Sequence, residues 1–105
     1  MGFFILNIFI DMNYTNLPAF FKRRFNQELF EKELSNSMKI WIKEKKSMFR
    51  DFEVNVINET MSNYFWDLYG LEIYDELNLD EVYKFESFIT LNYLNDMREF
   101  WDRHH

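Results

Sequence analysis

The two histidines of this 105-residue chain, His104 and His105, are its last two residues and closely follow Asp102. Imidazole and carboxylate groups bind metals, and imidazole is also the commonest general base in enzymes. Three such groups on a fraying helix end make a poor metal site. A cationic group near a helix C-terminus is favourable for the helix dipole, which explains this ending without any metal chemistry. We therefore predict no metal and no cofactor.

Carboxylates spaced for one helix face occur in two pairs, Glu72 with Glu76 and Asp96 with Glu99. Such pairs can transfer protons when burial raises one pKa, but they are also common on solvated helix faces. The serines lack an imidazole base unless the histidine tail folds back. The chain has no Cys and only two Gly, which excludes thiolate nucleophiles and phosphate-binding glycine loops. We expect that the protein is not an enzyme.

Aromatic residues are unusually abundant, with 13 Phe, 6 Tyr and 3 Trp, whereas Ala19 is the one alanine. A chain of 105 residues is long enough for one domain with its own core, and we assign residues 1–105 to a single domain. The rings exceed what such a core needs, so at least one of Trp41, Trp66 and Trp101 should lie at the surface. The scarcity of Gly argues against tight hairpins and therefore against an all-β fold.

Apolar residues recur at helical spacing in four segments, which predicts helices over 17–34, 38–50, 59–69 and 81–103. The first of these follows Asn16, a good helix N-cap, and has Pro18 in its first turn. The residues Ser-Asn-Ser at 35–37 are predicted to break the chain between the first two helices.

The two later boundaries have their own signals. Gly70 is placed for a left-handed helix C-cap, residues 71–79 are predicted to form a connector, and Asp80 is a candidate N-cap. The expected fold is mainly α, a compact bundle of about four helices.

Two segments could be strands, and the sequence leaves both open. Residues 3–10 contain seven apolar side chains, too few for the roughly 20 residues of a membrane helix and without the preceding basic residues of a secretory signal. They are a short strand or a short buried helix, or residues 1–11 form a loosely held apolar arm. In 52–57, Phe52, Val54 and Val56 alternate as in a strand. The alternative fold is therefore a small α+β domain that pairs 3–10 with 52–57.

Charge is divided unequally along the chain. Residues 1–50 carry nine Lys and Arg against five Asp and Glu, a net +4, whereas residues 51–105 carry three against thirteen, a net −10. One interpretation is purely structural: two amphipathic halves pack together, and their solvated charges partly neutralise one another.

The second interpretation is that one charged face binds a partner. The candidate partner-binding residues form an acidic face consisting of Asp67, Glu72, Asp75, Glu76, Asp80, Glu81 and Glu86. The alternative basic face consists of Lys22, Arg23, Arg24, Lys39, Lys43, Lys45, Lys46 and Arg50. A net charge of −6 opposes non-specific attraction to phosphates, so the acidic face is preferred.

These observations predict a non-catalytic, acidic, cytoplasmic protein that binds another protein with a basic surface and does not enter a membrane. Its residue usage, rich in Phe, Asn, Ile, Lys and Tyr, is typical of AT-rich genomes. It suggests a phage or mobile-element accessory protein that inhibits or redirects a host nucleic-acid-handling protein. The alternative is a structural subunit of a virion or larger assembly. In that case residues 3–10 form an unpaired strand or apolar arm that completes itself on a neighbouring subunit. Nucleic-acid binding through the basic helices in 17–50 comes third, and a homo-oligomer remains open.

Overall fold

The computed structural model describes residues 17–44 and 48–105. Its helices are α1 (Ala19–Arg24), α2 (Gln27–Trp41), α3 (Phe49–Tyr69), α4 (Ile73–Glu76) and α5 (Leu79–His104), and a 3₁₀ turn (Ile42–Glu44) follows α2. The described residues contain no strand, and the predicted mainly α bundle is confirmed. The predictions for residues 3–10, for the arm 1–11 and for the Asn16 cap lie outside the described residues.

The α+β alternative was wrong, because residues 52–57 belong to α3. In a strand, Phe52, Val54 and Val56 would share one face. In α3, Phe52 and Val56 are fully buried one turn apart, whereas Val54 is exposed on the other side of the helix. The helix predicted over 59–69 therefore begins ten residues earlier, at Phe49.

The predicted boundaries of the first two helices were also wrong. The expected helix over 17–34 ends at Arg24, and a new helix begins after Asn26, whose backbone is extended and whose side chain accepts the Leu29 N–H at 3.0 Å. The Ser-Asn-Ser sequence at 35–37 lies inside α2 because the buried residues Leu34 and Met38 continue one apolar stripe across it. Burial outweighs the weak helix propensity of Ser and Asn. The helix predicted over 38–50 is instead the end of α2, the 3₁₀ turn and the first residues of α3.

The three long helices are antiparallel to their chain neighbours. Ring centroids of Phe30 on α2 and Tyr64 on α3 are 5.3 Å apart. Phe52 near the start of α3 meets Trp101 near the end of α5 at 5.2 Å, and Phe65 meets Phe85 at 5.7 Å. The bundle thus has two ends. The corner end, named after the break between α1 and α2, contains α1, the end of α3 and the start of α5. The far end contains the end of α2, the start of α3 and the end of α5.

Aromatic rings fill the core at the corner end. Phe21 of α1 stacks on Phe85 of α5 at 4.7 Å and meets the edge of Phe65 of α3 at 5.6 Å. Such pairs contribute stabilisation beyond the apolar area that they bury, and they occupy core positions in a sequence in which Ala and Val are scarce. Surplus rings do reach the surface, as predicted, because Trp66 is 55% exposed while Trp101 is buried.

The connection from α3 to α5 follows the predicted signals with one correction. Gly70 ends α3 with φ at 64°, the left-handed conformation expected there, and its N–H donates to the Trp66 carbonyl at 2.9 Å. The predicted connector contains the short helix α4. The N-cap of α5 is Asn78, not Asp80: its side chain accepts the N–H groups of Asp80 and Glu81 at 2.9 and 3.3 Å. None of the helices within the described residues has the length and apolar composition needed to cross a bilayer.

Candidate protein-binding surface

Six of the seven predicted acidic residues are exposed at the corner end of the bundle. Asp67 lies in the last turn of α3, Glu72 precedes α4, Asp75 and Glu76 lie on α4, and Asp80 and Glu81 lie in the first turn of α5. These six are called the acidic end below. None of the side chains of the acidic end takes part in an ion pair between described residues.

The seventh residue, Glu86, has a different environment. It is half-buried, and its carboxylate accepts a hydrogen bond of 2.6 Å from the Tyr74 hydroxyl. Burial raises the pKa of Tyr74, and the hydrogen bond and charge of Glu86 raise it further. The same hydroxyl lies 3.0 Å from the Asn58 side chain on α3. Glu86 therefore helps to hold Tyr74 of α4, whose hydroxyl contacts both α3 and α5. Charge counting could not distinguish this structural role from partner binding.

Exposed apolar side chains accompany the acidic end, and the sequence reasoning missed most of them. Trp66 and Tyr69 lie in the last turns of α3, and Leu79 and Tyr83 lie at the start of α5; all four are exposed. Protein interfaces are enriched in aromatic residues, which serve as anchors inside a polar rim. Their positions outside the buried apolar stripe of each helix could have indicated that they are exposed. Of the four, the sequence analysis named only Trp66 as a candidate surface residue.

The predicted basic residues do not form one surface. Arg23 and Arg24 lie at the end of α1, at the corner end. Lys39 lies in the last turn of α2 and Lys43 in the 3₁₀ turn that follows it, at the far end. Helix α2 has 15 residues and separates the two groups by roughly 20 Å. Lys22 is half-buried on α1, and Arg50 is exposed at the start of α3. Lys45 and Lys46 lie outside the described residues.

Within residues 17–44 and 48–105, no ion pair joins the two charged halves of the sequence. Both ion pairs between described residues lie within α5, where Arg98 meets Asp102 at 3.3 Å and Arg103 meets Glu99 at 3.1 Å. Arg24 packs on aromatic rings, 3.9 Å from the Phe20 centroid. Direct pairing therefore does not consume the acidic end in the part of the chain that the structure describes.

A pocket of about 160 Å³ between α2 and α3 contains a carboxyl pair that no sequence spacing indicated. Glu33 and Asp67 line it together with the exposed side chains of Leu29 and Leu68. Burial raises the pKa of Glu33, and the charge of Asp67 and a hydrogen bond with it raise the pKa further. Glu33 thus lies beside the acidic end, to which Asp67 belongs.

A groove of about 220 Å³ between α3 and α5 adjoins a depression of about 590 Å³ whose lining residues all belong to α5. The two parts share Glu86 and Thr90. Val54 lines one part, and Leu91 and Leu94 form the apolar wall of the other. Leu91 is 66% exposed, the largest exposure among the large hydrophobic side chains of the described residues, so this wall has no cover from them.

The carboxylates and histidines that the sequence analysis considered for catalysis or metal binding make structural contacts. Glu76 accepts the backbone N–H of Glu72 at 3.0 Å, which completes the turn of α4. His104 and His105 pack on aromatic rings of α5, with centroids 4.3 Å from Phe100 and 3.7 Å from Trp101. Across residues 17–44 and 48–105, no three His, Asp or Glu side chains are grouped to hold a metal ion. The environment of Asp96 is different from that of these residues, because Asp96 is partly buried and lies near Glu31 of α2.

Comparisons of the chain with protein-family models, with curated proteins and with solved structures find no match.

Proposed function

We propose that this protein is a non-catalytic module that binds another protein through its acidic end. One observation carries the proposal. Six exposed carboxylates that form no ion pair between described residues lie at the same end as four exposed apolar side chains, those of Trp66, Tyr69, Leu79 and Tyr83. Carboxylates of one sign select a partner of opposite charge and accelerate encounter. Apolar anchors supply affinity that charge alone does not.

The preferred partner is a protein with a basic surface, such as a nucleic-acid-handling protein with a basic groove. The AT-rich residue usage favours a phage or mobile-element accessory protein that acts in the host cytoplasm. Direct nucleic-acid binding is disfavoured, because Arg23 and Lys39, like the other described basic side chains, are divided between the two ends of the bundle. Phosphate binding needs basic groups that follow the nucleic-acid backbone.

A pair of matched double variants tests the acidic end. Asp75→Lys with Glu81→Lys reverses two exposed charges at the corner end, and Glu44→Lys with Asp51→Lys makes the same net change at the far end. Each pair contains one residue in the first turn of a long helix, Glu81 or Asp51, so the cost from the helix dipole is similar. The pairs therefore differ chiefly in the location of the changed charge.

The assay is affinity capture from a nuclease-treated bacterial lysate, quantified by mass spectrometry and followed by titration of the purified candidate. We expect a stoichiometric protein that the wild type and the far-end variant retain and that the corner-end variant loses. Trp66→Ser should weaken the same interaction while leaving the fold intact, since the indole is largely exposed. Equal retention by both double variants, or retention of nothing, would contradict the proposal.

The second candidate is a subunit of a larger assembly, and the exposed wall of Leu91 and Leu94 favours it. Uncovered apolar patches on a soluble protein mark sites of association. Light scattering at increasing protein concentration distinguishes this candidate. A stable oligomer that Leu91→Gln dissociates would support assembly, whereas a monomer at all concentrations would remove it.

A further inference from the structure

The seam between α2 and α5 contains two carboxyl groups of like charge. Glu31 of α2 accepts hydrogen bonds from the Tyr93 hydroxyl and from the Gln27 side chain, each at 2.9 Å. Asp96 of α5 lies one turn beyond Asn92 on the same face of that helix. The charge of Glu31 acts on Asp96 across the seam.

Two oxygen atoms on this face of α5 are buried without a donor. Asn92 is only 2% exposed; its side-chain N–H donates to the Phe88 carbonyl at 2.8 Å, and its Oδ1 accepts no hydrogen bond. The Oδ2 of Asp96 is likewise buried and accepts none. Buried polar atoms in native proteins nearly always have a partner. Among the described residues, this face therefore has acceptors and lacks a donor.

The charges around Asp96 explain why its ionised form is unfavourable. Burial is the largest cause that raises the pKa of Asp96, and the negative charges of Glu99 on its own helix and Glu31 on α2 raise it further. Burial likewise raises the pKa of Glu31, against the lowering effect of its hydrogen bonds from Tyr93 and Gln27.

We propose that the α2–α5 seam binds one proton from the solvent at Asp96 on acidification and that the resulting carboxyl O–H is the donor that this face lacks among the described residues. Neither Asn92 Oδ1 nor Asp96 Oδ2 offers surface to a water-sized group, and a proton needs no such space. Its uptake also removes the repulsion between Asp96 and the two neighbouring carboxylates. The seam is thus a pH-sensitive contact that tightens on acidification.

The sign of the effect follows from linkage. A carboxyl whose pKa is raised in the folded state binds more protons in that state than in the unfolded chain, so acidification favours folding. Its contribution is full below the unfolded pKa and is lost as the pH rises through the folded pKa. We therefore expect stability to increase as the pH falls toward the range in which unperturbed carboxylates titrate. Glu33 acts in the same direction from the α2–α3 pocket, so the test must separate the two.

The test uses Asp96→Asn, which keeps the shape of the side chain, removes its charge and provides a permanent N–H donor. Urea unfolding from pH 5 to 7.5 should show a higher midpoint than the wild type at pH 7.5 and a weaker pH dependence. Glu33→Gln measures the contribution of the other pocket, and Glu28→Gln is the exposed control on α2. A pH dependence of Asp96→Asn equal to that of the wild type would overturn the proposal.

A direct measurement decides the matter even if the variant does not fold. The side-chain carboxyl ¹³C shift of Asp96 in the wild-type protein reports its protonation by NMR. We expect its titration midpoint to lie above about 3.9, the ordinary value of an aspartate. A midpoint at or below that value would refute proton uptake at this seam.

Discussion

The Tyr64 hydroxyl holds the corner between α1 and α2 onto α3, and Tyr64→Phe removes that group alone. Tyr64 is 1% exposed. Its hydroxyl donates to the Arg24 carbonyl and accepts the Asn26 N–H at 2.7 Å. These two backbone groups lie on either side of Phe25, which together with Asn26 forms the extended break between the helices. One side chain thus satisfies a donor and an acceptor at this break.

The expected loss of stability comes mainly from Asn26. After the substitution, the Arg24 carbonyl keeps the Tyr69 hydroxyl at 3.2 Å, whereas the Asn26 N–H loses its bond to Tyr64. An unsatisfied buried group costs about 1–3 kcal/mol. Because Asn26 itself is exposed and water reaches its surroundings, we expect a loss of about 1–2 kcal/mol. Tyr69→Phe, which removes the second and exposed donor, should cost less than about 0.5 kcal/mol.

Urea unfolding of both variants, followed by circular dichroism, measures the difference. Amide hydrogen exchange adds a local readout, since the Asn26 amide should be protected in the wild type and should exchange faster in Tyr64→Phe. If the two variants lose equal stability, or if the protection of Asn26 is unchanged, the hydroxyl does not hold the corner.

Three further substitutions test the connection between α3 and α5, each by thermal or urea unfolding. Asn78→Ala should cost about 1 kcal/mol, because the side chain caps α5. Asp80→Ala should cost about half of that or less, because it acts on the helix dipole alone; the reverse order would assign the cap to Asp80. Gly70→Ala should cost about 1–2 kcal/mol from the left-handed backbone alone, since a Cβ there meets no neighbouring atom; no loss would contradict the backbone conformation.

Helical faces and the Gly70 cap were predictable from the sequence, whereas the ends of the first two predicted helices were not. The buried stripe of α2 through Phe30, Leu34 and Met38 repeats every four residues, a local pattern that the chain itself displays. The break after Arg24 depends on Tyr64, which is 38 residues from Asn26 in the chain. No local pattern contains that contact. The same limit explains why 35–37 were expected to break a helix that tertiary burial continues.

The sequence indicated which residues form the acidic end but not how they are arranged in space. Counting charges selected these six residues together with Glu86, whose position depends on the Tyr74 hydroxyl. The pairs Glu33 with Asp67 and Glu31 with Asp96 join different helices. Spacing rules, which compare residues on one helix, could indicate neither pair.

The arrangement of charge gives salt two opposite effects on this protein. The acidic end repels itself in the free protein, because no ion pair between described residues neutralises it and Asp67 lies beside Glu33. Salt screens such repulsion between exposed groups, so moderate NaCl should raise the unfolding midpoint of the free protein. The same screening weakens attraction to a basic partner and should slow association. An affinity that does not fall with salt, measured beside a midpoint that rises, would show that apolar anchors such as Trp66, and not the carboxylates, carry recognition.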